Sequence, residues 1–144
     1  MAISLEWEPH GAVRIYNGTI HIDGIVDAIA QLQNDPRFDR LRYLIEDFSA
    51  VDSLAISESE VDLIVAHAIG AAYSNPHIRV AAVATSEQTR QLVRQFAKDS
   101  PYIVRLFGDT EAARQWISGG ETSPVPLEIQ LQASVEFEEG RPVR

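Results

Sequence analysis

The chain opens on an alternation. Ile3, Leu5 and Trp7 are apolar, and Ser4, Glu6 and Glu8 beside them are polar, which is the period of a half-buried strand. Pro9, His10 and Gly11 make a turn, and Val13 and Ile15 carry a second strand to Asn17-Gly18. The two read as an antiparallel hairpin. Asp23 then caps a helix on which Ile25, Ala28, Ile29 and Leu32 fall at helical spacing, and Asn34-Asp35-Pro36 stops it. The apolar run Leu41 to Ile45 predicts a strand that gives way, at Glu46 and Asp47, to a short loop rich in serine and acid. From about Ser57 to Tyr73 the residues Val61, Ile64, Val65, Ala68, Ile69 and Ala72 recur at threes and fours, a helix ended by Asn75-Pro76. Ile78 to Ala84 is apolar except for Arg79, as suits a strand buried on both faces. Thr85-Ser86 caps a helix carrying Leu92, Val93 and Phe96, and Tyr102 to Phe107 is a further strand. Asp109 caps a last helix, Ala112 to Ile117, with Trp116 on its apolar face.

Strands alternating with helices predict an α/β fold, a single domain built on a mixed, largely parallel sheet. Ser118-Gly119-Gly120 closes that domain, residues 1–118. Residues 119–144 are expected to form a linker and an extra C-terminal strand, because Leu127, Ile129, Leu131, Ala133, Val135 and Phe137 alternate strictly with polar residues. Its apolar face must pack on its own sheet or on a second copy, so a homodimer is expected.

A length of 144 residues suits one independently folding domain. Twelve Lys and Arg stand against 21 Asp and Glu, a formal net charge of −9. The basic footprint of a nucleic-acid-binding protein is missing, and the overall field opposes a phosphate backbone. The lack of cysteine removes disulfides, thiolate metal sites and cysteine nucleophiles together. The N-terminal residues show no secretory signal and no run is long enough for a membrane span, so a cytoplasmic protein is expected.

The candidate chemistry concentrates between Asp47 and Ser57. Ser57-Glu58-Ser59-Glu60 fits a capping box, in which serine and glutamate satisfy each other's backbone amides. A phosphate on Ser57, or on Ser53 or Ser49, would gain from the helix N-terminus and lose to Glu58, Glu60 and Asp62, two effects that roughly offset. Glu46, Asp47, Asp52, Glu58 and Asp62 offer oxygen ligands but match no calcium loop, and no metal or cofactor is expected. The histidines His10, His21, His67 and His77 are scattered, and no phosphate-binding or nucleophile motif occurs. Arg90, Arg94 and Lys98 share one helix face, which reads as a solvated face.

Taken in order, several phrases resemble the SpoIIAA-like branch of the STAS (sulfate transporter and anti-sigma factor antagonist) superfamily. They are Asn34-Asp35-Pro36-Arg37-Phe38-Asp39, Ile45-Glu46-Asp47-Phe48-Ser49, Val80-Ala81-Ala82-Val83-Ala84-Thr85, Val104-Arg105-Leu106-Phe107, and Glu111-Ala112-Ala113-Arg114-Gln115-Trp116-Ile117. The resemblance runs from about Trp7 to Ile117. It implies a STAS-like topology and a non-catalytic regulatory or protein-interaction module, with a kinase or an anti-sigma-like regulator as partner. In that family a serine at the start of the helix after the third strand is phosphorylated. Asp47-Phe48-Ser49 matches the family's strand end, and Ser57 falls at the phosphoacceptor position although the family's glycine after it is replaced by Glu58. The working surface is expected where Asp47, Ser49, Ser53 and Ser57 meet Thr85, Ser86 and Gly108-Asp109 at the carboxyl edge of the sheet. The branch is also similar to lipid-binding CRAL-TRIO folds, which implies as an alternative a pocket for a small apolar molecule, of about 300 Å³ or more. A hydrolase or isomerase without a motif would need a titratable group of strongly shifted pKa in a pocket.

Overall fold

The computed structural model describes residues 2–119. Five strands form one sheet in the order β1 (Ala2–Trp7), β2 (Gly11–His21), β3 (Tyr43–Ala55), β4 (Arg79–Val83), β5 (Ile103–Phe107). The hairpin β1–β2 is antiparallel and every other pair is parallel, as the alternation of strands and helices predicts. A side chain at Gly11 would collide with the ring of Tyr43, so the tight start of β2 needs glycine. The helices are α1 (Ile22–Gln33), α2 (Glu58–Ser74), α3 (Glu87–Asp99) and α4 (Thr110–Ser118), with a 3-10 turn at Pro36–Arg40.

The two faces of the sheet are covered unequally. Ala12, Leu44, Val80, Ala82, Val104 and Leu106 pack beneath α1, α2 and α3. On the other face Val13, Ile45, Ala81, Val83 and Phe107 meet α4 through Ala113 and Trp116. Because helices lie on both faces, the central strands read as nearly continuous apolar runs. Asn75 closes the floor of the domain. Its buried side chain donates to the carbonyls of Phe38 (2.8 Å) and Leu41 (2.9 Å), and its carbonyl oxygen accepts from the Tyr102 hydroxyl at 2.9 Å.

Three local expectations change. First, β2 does not end at Asn17-Gly18. Gly18 adopts φ 79°, the register shifts on either side of it, and the strand runs on to His21. The Asn-Gly pair is absorbed as a bulge. Second, the serine-rich stretch after Asp47 is mostly strand, and Leu41 lies outside it. β4 pairs only with Tyr43–Asp47, but β2 continues alongside and pairs Ala50 to Ala55 with Asn17 to His21. Phe48 and Leu54 point into the core there, so side-chain packing overrides the loop-like composition. Third, Asp23 is not the cap of α1. The cap position is His21, with no side-chain cap bond, because β2 runs directly into the helix, and Asp23 lies in the first turn. The other caps stand where the residues predict them: Ser57 with Glu60 as a full capping box, Ser86 on α3 and Asp109 on α4. The expected strand Leu127 to Phe137 lies outside the described residues, and with it the argument for a homodimer.

Asn75→Ala removes the two hydrogen bonds to Phe38 and Leu41 and the one its side-chain oxygen accepts from the His77 amide, and we expect a loss of about 2 kcal/mol in stability, measured by urea unfolding.

Candidate functional site

Parallel pairing sets Arg14 of β2 directly opposite Glu46 of β3, on the face beneath α1, α2 and α3. Arg14 is 4% exposed. Its Nε and Nη2 donate to Glu46 Oε1 and Oε2 at 3.0 and 2.8 Å, a bidentate pair. Nη1 donates to the carbonyl of Ala28 at 2.9 Å and so holds α1 on the sheet. The buried Tyr16 hydroxyl donates to Glu46 Oε1 at 2.8 Å, and its ring stacks on Phe48 with centroids 4.4 Å apart. Burial, with Glu46 beside it, pushes the Tyr16 phenol well above its ordinary value. Burial alone would lower the Arg14 pKa, but the charge of Glu46 holds it above the ordinary value.

The triad forms one wall of a cavity of about 130 Å³ between the sheet and the three helices. The rest of the wall is aliphatic and aromatic, including Ile25, Leu54, Ile64, Ala68, Leu92 and Phe96. Sequence reading missed Arg14 and Tyr16, because Val13 and Ile15 look like the inward phase of a strand. Both phases are inward here, since helices cover both faces. The available signal was an arginine inside one strand and a glutamate at the end of the next apolar run.

The expected surface residues separate into two groups. Asp47, Val83 and Phe107 stand level across the sheet. Ser49, Thr85, Ser86 and Asp109 therefore follow at one carboxyl edge, where Asp47 Oδ1 accepts from the Ser49 amide and hydroxyl at 2.9 and 2.6 Å. Ser53 and Ser57 lie farther along the β2–β3 overhang, Ser53 being roughly 20 Å beyond Asp47 at strand rise. Ser53 pairs with Thr19, and the exposed Ser57 Oγ accepts the Glu60 amide at 3.2 Å. Gln88, two residues into α3, ties the overhang down by accepting from the Leu54 amide and donating to its carbonyl. The five carboxylates do not form a cluster: Glu46 and Asp47, as neighbours on a strand, face opposite sides. Among the described residues no group of three or more His, Cys, Asp or Glu side chains is placed to hold a metal ion. Arg90 and Arg94 are not simply solvated, for Arg90 donates to the Ala84 carbonyl and Arg94 pairs with Glu87 at 3.1 Å.

No protein-family model matches the sequence, and no curated protein matches it either. Solved structures do share its shape, among them the following two. An uncharacterized protein of the DUF3478 family from Shewanella loihica PV-4, with a SpoIIAA-like fold, aligns at TM-score 0.53 and 17% identity over 81% of this chain and 92% of its own. The anti-sigma factor antagonist SpoIIAA, in its unphosphorylated form, aligns at TM-score 0.57 and 17% identity over 83% of this chain and 99% of its own. The chain has a SpoIIAA-like fold. Within that fold, the Ser57 cap opens α2 and the cavity lies under the same helix.

A second ion pair fastens the SpoIIAA-like core across its other face. Arg114 of α4 donates to both carboxylate oxygens of Glu8, at 2.7 and 2.6 Å, and Tyr43 donates to Glu8 as well. The Arg114 hydrogen bond holds the Glu8 pKa below its ordinary 4.5.

Two outcomes follow from these pairs. Arg14→Met strands a half-buried carboxylate and is expected to cost about 2 kcal/mol or more, while Arg14→Met with Glu46→Leu recovers most of that loss, as urea denaturation of the three proteins will show. The Glu8 contribution is fully present above pH 4.5 and is lost as pH falls through the depressed folded-state pKa. In Arg114→Ala the Glu8 carboxyl should titrate at a higher pH, a shift readable by NMR.

Proposed function

We propose that the protein is a non-catalytic regulatory module that works by binding another protein through the start and outer face of α2. The observation that carries this reading is the outer face of that helix. Leu63 and Ile69 are each 45% exposed and Tyr73 is 88% exposed, with Ala66 and Gly70 exposed between them. Large apolar side chains spaced along one exposed helix face are what a protein partner buries. The face begins beside the Ser57 cap and its acidic first turn. SpoIIAA, an anti-sigma factor antagonist known in an unphosphorylated form, supports the same class of role through its fold. Phosphorylation of Ser57 belongs to this proposal: the Oγ is exposed, and a phosphate there would abolish the capping box and add charge beside the apolar face.

A second reading is favoured by the cavity. At about 130 Å³ this cavity is smaller than the roughly 300 Å³ of a drug-sized pocket, which points to a small occupant. It is close to the engineered cavity of about 150 Å³ that binds benzene. An enzymatic role gains little from it. The shifted groups on its wall are tied to one another, and a Tyr16 phenol that keeps its proton is not a base.

Affinity capture from the native host, with wild type, Ser53→Ala/Ser57→Ala and Leu63→Glu/Ile69→Glu as baits, tests the leading reading. We expect a partner of the wild type to bind the Leu63/Ile69 variant at least about tenfold more weakly. An unchanged set of partners on both variants removes α2 as the contact surface.

A further inference from the structure

The cavity has a polar wall on which one carboxylate oxygen keeps an unused acceptor site. Glu46 Oε1 accepts two hydrogen bonds, from Arg14 Nε and Tyr16 OH. Glu46 Oε2 accepts one, from Arg14 Nη2 at 2.8 Å. An ionised carboxylate has about four acceptor sites, two on each oxygen, so Oε2 retains one. Glu46 lines the cavity and is 15% exposed, while Arg14 behind it is 4% exposed. Of the other polar residues on the wall, Gln33 donates its amide to the His67 carbonyl and the Tyr102 hydroxyl donates to the Asn75 carbonyl.

From this wall we infer that the cavity binds a small neutral molecule with a hydroxyl group, an apolar alcohol or a phenol, whose O–H donates to Glu46 Oε2. This rests on the cavity being a binding site and adds the chemical class of its occupant. Three features select that class. The volume of about 130 Å³ limits the body to roughly the size of one benzene ring. The remaining wall, being apolar, favours hydrocarbon over further polar groups. The charges of Arg14 and Glu46 balance each other at hydrogen-bond distance, so a charged ligand would lose its hydration and find no net opposite charge. Its affinity rests on contact with Ile64, Leu92 and Phe96, and its selectivity on the one hydrogen bond.

The test is titration of the full chain, with its Ile, Leu and Val methyl groups labelled for NMR, against phenol, toluene and benzoate. The expected result is that phenol shifts the methyls of Leu54, Ile64 and Leu92 and binds at least about fivefold more tightly than toluene, the worth of one net hydrogen bond, with benzoate weaker than either. Glu46→Gln should reduce the preference for phenol. Because that variant unbalances Arg14, Ala68→Leu provides a second check: it fills the cavity from α2 and should abolish binding of both phenol and toluene. Equal affinities for phenol and toluene at those methyls would overturn the hydroxyl assignment and leave the cavity as an apolar site. Tighter binding of benzoate would overturn the neutral class. Binding that survives Ala68→Leu, or no shift of those methyls by any probe, would overturn the cavity as a binding site altogether.

Discussion

The parallel pairing of β2 with β3, locked by Arg14 opposite Glu46, is the constraint on which the rest of the structure depends. The pairing runs from Gly11↔Tyr43 to His21↔Ala55, more than twice the length over which β3 pairs with β4. A slip of one residue would turn every side chain of a strand to the opposite face and put Arg14 beside Ile45 or Asp47 in place of Glu46. A buried ion pair adds little net stability over apolar residues of the same shape. Any other register, however, leaves a buried charge unpaired, and that penalty makes the observed register exclusive. From the same pair, Nη1 of Arg14 holds α1 by the Ala28 carbonyl, and Tyr16 stacks on Phe48 at the start of the overhang.

The long β2–β3 ribbon also determines where α2 begins. Because β3 continues as far as Ala55, the Ser57 cap stands away from the carboxyl edge where Asp47, Thr85 and Asp109 lie. α2 then serves two sides at once. Ile64 and Ala68 line the cavity, while Leu63, Ile69 and Tyr73 face outward. A helix that is apolar on both sides needs cover on both. The sheet and its neighbouring helices cover one side, and the other is the surface that we propose a protein partner covers. A molecule in the cavity and a protein on the surface would therefore touch opposite faces of the same 17-residue helix.

Much of the architecture was legible because local physics and global packing agree. Capping residues carry their own geometry, so Ser57, Ser86 and Asp109 mark helix starts wherever the chain goes. The continuous run Val80–Val83 reads as a buried central strand because helices cover both of its faces. Failures occurred where a neighbour in space overruled a local signal. Asn17-Gly18 reads as a turn, yet it is a bulge because β3 runs beside it. Ser49 to Ser53 reads as a loop, yet it is strand because β2 has free pairing groups there. The cavity wall was invisible for the same reason, since an arginine 32 residues from its glutamate has no local mark of partnership.

The sequence by itself determined the α/β class, the order of the elements, the caps of α2, α3 and α4 and the likeness to SpoIIAA, because periodicity and capping are properties of neighbouring residues. Tertiary structure alone decided the extent of the β2–β3 ribbon, the pairing of Arg14 with Glu46, the cavity beside it, and which apolar side of α2 is left open. Each of these depends on groups far apart in the chain that share one register or one face, and such sharing exists only once the sheet is formed.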